Sequence, residues 1–206
     1  MHSESLRTDL LALTDTVSRH LDAAFRSLNG KDRDLAADVV TIRYAINRDL
    51  DRFVERCQHR LRDDNDARFA LTAIKIAGEL RDVSYQTGRI ARMVMMRSRD
   101  NRELWFAPLL CEVQDHLHEA VRGFVAGDVA MSARRARTSW GPAYTQFLQD
   151  LTTRMTQEPR EISRLLRMAR VLRALEHVAV HIQNIGKYAT RLYANPSPAV
   201  CDTAPQ

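Results

Sequence analysis

The side chains able to do chemistry in this chain are scattered, and their spacing excludes several reactions. A di-iron carboxylate centre in a helical bundle needs Glu-x-x-His on two helices, with further inward glutamates. The sequence holds no Glu-x-x-His and a single Asp-x-x-His, at Asp115 and His118. Nucleophilic catalysis needs a serine or cysteine held by a base, usually on a strained turn, and the sequence offers no such turn. Cys57, Cys111 and Cys201 are odd in number, distant and without CxxC spacing, so they read as reduced thiols and not as disulfides or a zinc centre. His177 and His181 stand one helical turn apart, a spacing that can bind a metal. The helical projection sets them across from the Leu175 and Ile182 stripe, which predicts exposed histidines. Met93, Met95 and Met96 read as the edge of a core and not as a soft-metal box. Arg134, Arg135 and Arg137 cluster beside Trp140, the pattern of a basic surface for single-stranded nucleic acid. No catalytic residue, cofactor or metal ligand is expected.

Whatever these residues do, helices must position them. Phe69, Ala73, Ile76, Leu80, Val83, Thr87, Ile90 and Val94 fall at steps of four and three, which keeps one face of a long helix apolar. Val171, Leu175, Val178, Ile182, Ile185 and Ala189 repeat those steps 95 positions after Ile76, Leu80, Val83, Thr87, Ile90 and Val94. That shared phase reads as an internal duplication. A first helix over about residues 4–28 carries Leu6, Leu10, Leu13, Val17, Leu21, Ala24 and Leu28, with Asn29-Gly30 as a left-handed stop. A second, over about 32–62, uses Leu35, Val39, Ile42, Ile46, Phe53, Cys57 and Leu61. Asp63-Asp64-Asn65-Asp66 then offers an N-cap to the third. No proline precedes Pro108, which suits three long antiparallel helices.

The pattern resets near Arg99-Asp100-Asn101. A fourth helix starts around Pro108 with Leu109, Leu110, Val113, Leu117, Val121 and Phe124 inward, and Gly127-Asp128 closes it. The fifth, about 129–157, is interrupted by Gly141-Pro142, where a kink or break is expected because proline removes a helical hydrogen bond. Pro159 opens the sixth, to about Tyr193. The expected architecture is all-α, two tandem three-helix bundles over 1–100 and 101–194, with a disordered tail over 195–206. The formal charge of +5 is carried by arginine, since Lys31, Lys75 and Lys187 are the only lysines. Aromatics make up 6%, and no apolar run approaches the eighteen or so residues of a membrane span. The N-terminus has neither the basic nor the apolar region of a secretory signal, so a soluble protein without a transmembrane segment is expected.

KIAGELRDVSYQTGRIARM and RVLRALEHVAVHIQNIGKY resemble degenerate copies of the PhoU signature, a repeated helix carrying L-E-R-I-G-D-x-A-x-N-I. LAADVVTIRYAINRDLDRFVERC resembles the family's second helix. DARFALTAIKIAGEL and MTQEPREISRLLRMARVLRALE are similar to its approach to the third helix of each half. The resemblance covers nearly the whole chain up to the tail. It implies a cytoplasmic, non-enzymatic regulator of phosphate uptake and of the phosphate-starvation response, acting on a phosphate ABC transporter and a sensor histidine kinase, and forming homodimers. The rival reading is a basic helical adaptor for nucleic acid or for a different transporter, and the resemblance disfavours nucleic acid.

At the signature's Glu, Asp and Asn positions the first copy holds Arg81, Tyr85 and Arg89, and the second holds Glu176, Val180 and Asn184. The aspartate that the family's second helix contributes to each half corresponds to Arg43 and Arg137. A multivalent cation cluster needs several oxygen ligands on each ion, so the family's cluster is not expected here. If these ladders bind anything, guanidinium groups and a phenol favour an anion or an acidic partner. In the second half, one carboxylate beside Arg137 is expected to form a salt bridge. The bland alternative for Arg43, Arg81, Arg89 and Arg137 is solvated or ion-paired helix arginines.

Overall fold

The computed structural model describes residues 2–61, 67–96, 107–137 and 141–194. Seven α-helices and one 3-10 turn account for them, with no strand among the described residues. They are α1 (His2–Gly30), α2 (Arg33–Arg60), α3 (Ala67–Met95), α4 (Ala107–Ala126), α5 (Val129–Arg137), α6 (Gly141–Gln157), the turn Pro159–Glu161 and α7 (Ile162–Ala194). The expected fifth helix is thus two. α5 stops at Arg137 and α6 begins at Gly141, so Pro142 falls in a first turn, where its missing N–H has no intrahelical partner to lose. The cluster 63–66, the reset at 99–101, Trp140 and the tail 195–206 with Cys201 lie outside the described residues.

The two duplicated stripes bury as the periodicity requires. All eight stripe residues of α3 and all six of α7 are buried. Each large aliphatic side chain so covered contributes about 1.5–3 kcal/mol. The same holds for α1, where Leu13 alone of its stripe stays half-buried, and for the six expected residues of α4. On α2 the expected stripe holds at Val39, Ile46, Phe53 and Cys57 and departs from expectation at Leu35, Ile42 and Leu61. Ala36, Val39, Ile46, Leu50, Phe53 and Cys57 are buried, while Ile42 and Leu61 are exposed. The missing member of that three-and-four series is position 43, an arginine, so a charged residue occupies a core phase and Ile42 is turned outward.

α1, α2 and α3 pack on one another, α7 packs on α3, α4, α5 and α6, and α1 meets α4. At one end Phe69 of α3 stacks on Phe124 of α4, with ring centroids 4.8 Å apart, and the Arg7 guanidinium lies 4.6 Å over Phe69. Arg7 also donates to the Val125 carbonyl, and the Tyr193 hydroxyl donates to the Phe124 carbonyl at 2.6 Å. Farther along, Gln114 Nε2 donates to the Ser18 carbonyl at 3.2 Å. These bonds tie α1 to α4, and α4 to α7, at fixed register.

The corners have local causes. After α1 the left-handed residue is Lys31, at φ 57°, and not Gly30. The Asp32 N–H reaches back to the Ser27 carbonyl at 3.0 Å, and the Asp32 carboxylate caps α2 by accepting from Leu35 N–H at 2.9 Å. Between α4 and α5, Gly127 takes φ +71°, and Asp128 accepts from the Met131 N–H at 2.8 Å. No helix among the described residues is long and apolar enough to cross a membrane.

Candidate functional site

Two places gather the chemistry. The first is the face shared by α2 and α3. Arg43 comes up from the core phase of α2 and lays its stem against Gly88, where a Cβ would lie 3.2 Å from its Cδ. Its guanidinium sits 5.0 Å from the Tyr44 ring and 5.5 Å from the Tyr85 ring. A cation facing two aromatic rings is attracted by their quadrupoles. The Nε of Arg43 is covered and has no hydrogen-bond partner among the described residues. Arg81, one turn from Tyr85, is instead ion-paired: its Nη2 lies 2.6 Å from Asp51 Oδ1 across the helix pair. Arg89 donates to Gln86 at 3.1 Å on its own helix. Of the expected ladder, Tyr85 stands beside Arg43, Arg81 is neutralised by Asp51, and Arg89 bonds within its own helix. Tyr44, Tyr85 and Ile42 remain exposed around Arg43.

The second ladder does not form one line. Glu176 pairs with Arg173 of its own helix, and the side chain of Arg137, its expected partner, lies outside the described residues. Val180 is exposed to almost the same extent as Tyr85, 46% against 45%, as the 95-residue offset requires. Asn184 turns away to α3, where it donates to Glu79 at 3.4 Å. The basic cluster of α5 is also partly compensated, since Arg135 forms an ion pair with Glu119 of α4.

That seam between α3 and α7 is the second place. Arg68 donates to the Leu192 carbonyl at 3.2 Å and Glu79 meets His181, so the two helices run antiparallel. The Glu79 carboxylate is buried and accepts from His181 Nδ1 at 2.7 Å. His181 is therefore not the exposed histidine that the projection predicted. It lies on the edge of the stripe, and the antiparallel crossing of α3 covers that edge; His177 is half-buried. Burial pushes the Glu79 carboxyl up, but hydrogen bonds from His181, Asn184 and Tyr188 outweigh it, and the group sits below its ordinary value. Burial raises the Tyr188 phenol, and its bond to Glu79 adds to the rise. Asp82, one turn from Glu79, comes within 3.9 Å of His181 Nδ1.

Sequence reasoning missed Glu79, because it directly precedes the stripe residue Leu80 and has no counterpart in the second copy, where the offset lands on Ala174. It also missed His20. Buried on α1, His20 has Nε2 2.8 Å from the Val39 carbonyl and Nδ1 3.4 Å from Ser84 Oγ. Burial holds its pKa below the ordinary value, the Val39 carbonyl opposes this, and Arg43 adds to the lowering.

The family's cation cluster can be tested against these residues. At its signature positions the first half presents Arg81, Tyr85 and Arg89, donors and positive charge without a carboxylate. The second half's Glu176 is engaged by Arg173. The residues present do not fit such a cluster.

Residues 10–94 match the family model described as the PhoU domain. The chain is 26% identical over 194 residues to the phosphate-specific transport system accessory protein PhoU homolog of Pseudomonas aeruginosa, covering 89% of this chain and 80% of that one. It is 25% identical over 194 residues to the protein of the same name from Pseudomonas putida, covering 89% and 76%. The crystal structure of PhoU from Pseudomonas aeruginosa matches with a TM-score of 0.83 at 25% identity, over 94% of this chain and 97% of the other. PhoU from Streptococcus pneumoniae, titled a phosphate transport system regulatory protein, matches in fold with a TM-score of 0.82 at 18% identity, over 92% and 93%. The signature helices α3 and α7 pack on each other in a helical bundle, residues 10–94 carry a PhoU domain, and the likeness in sequence and fold to PhoU proteins runs along nearly the whole chain.

Proposed function

We propose that this protein is a regulator of phosphate uptake and phosphate-starvation signalling that works by protein contacts and catalyses no reaction. Its partners in this reading are a component of a phosphate ABC transporter, a sensor histidine kinase, or both, met from the cytoplasm by a homodimer. The observation that carries the reading is the likeness along nearly the whole chain to accessory proteins of phosphate transport. The α2–α3 face supplies a contact surface consistent with it. Arg43 between Tyr44 and Tyr85, flanked by exposed Ile42, combines the residue types that dominate binding energy at protein interfaces. Where the signature calls for carboxylates, this face offers aromatic rings and positive charge, so an acidic segment of the partner is the complement. Tandem repeats over 1–100 and 101–194 remain our reading of the domain division.

Affinity capture from solubilised membranes and cytoplasm tests this. The wild-type chain should bring down a phosphate-transporter subunit or the sensor kinase, and the double variant Arg43→Asp, Tyr85→Ala should bring down several-fold less while keeping its helix content. Capture of nucleic acid in a steeply salt-dependent manner, with no transport component, would favour the rival reading.

A further inference from the structure

We propose that Glu79, Asp82 and His181 form a mononuclear site for a divalent transition-metal cation of the zinc class, clipping α3 to α7. None of these residues occupies the signature positions discussed above. Glu79 and Asp82 stand three apart on α3, so their side chains leave the same face of the helix. His181 comes from the antiparallel helix opposite. One ligand atom from each of the three lies within 4.8 Å of the other two. His181 Nδ1 is 2.7 Å from Glu79 Oε2 and 3.9 Å from Asp82 Oδ2. Around a tetrahedral ion with bonds of about 2.0–2.1 Å, ligand atoms stand roughly 3.3 Å apart. The observed separations bracket that spacing, so side-chain rotation of about an ångström closes the set without moving either helix.

The chemistry of the donors selects the ion. One imidazole and two carboxylates suit zinc and its neighbours, whereas magnesium and calcium take all-oxygen shells. The side chains of Glu79 and His181 are only 11% and 18% exposed, while that of Asp82 is 58% exposed. Two ligands are thus held by packing, and the third faces the route by which the ion enters, leaving a fourth position for water. Asn184 and Tyr188, which already donate to Glu79, would orient that carboxylate from behind. The positive charge at this end of the seam is grouped about Tyr188: Lys75 Nζ lies 5.7 Å over its ring, and Arg191 also acts on it. In the apo form the Glu79 to His181 hydrogen bond keeps both groups satisfied, and the ion replaces its proton.

Calorimetric titration of chelator-stripped full-length protein with zinc chloride, with magnesium chloride as comparator, decides the matter. One zinc per chain at micromolar affinity or tighter is expected, with magnesium at least a hundredfold weaker. His181→Ala and Glu79→Gln should abolish binding. Asp82→Asn, an exposed change that leaves the packing alone, should weaken it about tenfold. Circular dichroism identifies any variant that fails to fold, in which case Asp82→Asn carries the test. Absence of saturable one-to-one binding, binding unchanged in the folded variants, or binding lost instead on His116→Ala beside Glu112 would overturn the proposal.

Discussion

His20 shows what burying one titratable side chain does to the whole protein. Its folded-state pKa lies below the ordinary value of 6.5, so on acidification the unfolded chain takes up the proton first. Stability from this group is complete above pH 6.5 and is lost as pH falls from there toward the folded pKa. His116, lowered mainly by burial and by Arg135, acts in the same direction and window. Glu79 also has a lowered pKa, but its contribution disappears only below about its ordinary 4.5. Denaturant unfolding at pH 7.5 and pH 5.5 should therefore give lower stability at the acid end, by at most about 1.4 kcal/mol per histidine per pH unit. His20→Gln, which keeps a donor for the Val39 carbonyl, should remove part of that slope. An unchanged slope in the variant would refute the assignment. At the same scale Arg43 was the least legible residue. An arginine at a core phase contradicts hydrophobic periodicity, and only Gly88 opposite and the rings of Tyr44 and Tyr85 explain how it is accommodated.

At the scale of the helix, two corners make opposite predictions. Lys31 holds a left-handed conformation that costs a residue with a Cβ about 1–2 kcal/mol. Lys31→Gly should accordingly raise stability by about 1 kcal/mol, measured by thermal unfolding. Gly123 on α4 faces α5 so closely that a Cβ would lie 2.9 Å from Ser132 Oγ and 3.3 Å from its backbone nitrogen. Gly123→Ala should destabilise by about 1–3 kcal/mol despite its better helix propensity. Elements of this kind were largely readable beforehand. The stripes of α1, α3, α4 and α7, the break near Gly141 and the opening at Pro159 all follow from spacing and from glycine and proline chemistry. On α2 the stripe was readable at Val39, Ile46, Phe53 and Cys57 but not at its middle, because Ile42 offered an apolar residue one position from the one the core uses. Nor was the Glu79 to His181 seam, since it depends on the antiparallel register of helices about a hundred residues apart, which no local pattern encodes.

The whole molecule presents long lateral faces, and in our reading one of them pairs with a second copy. Light scattering at micromolar concentration should report the mass of two chains, and a constant one-chain mass across that range would remove the dimer from the account. Ser84 beside His20 is buried, whereas exposed Tyr44 and Tyr85 around half-buried Arg43 are suited to contact. The regulatory role itself is tested most directly in the native host growing with plentiful phosphate. Output of a phosphate-starvation reporter and phosphate uptake would be measured after deletion of the gene and after its return. The account predicts that deletion raises starvation output while phosphate is abundant, that the wild-type chain restores repression, and that Arg43→Asp with Tyr85→Ala restores it poorly. Reporter output and uptake that stay the same with and without the gene would contradict it.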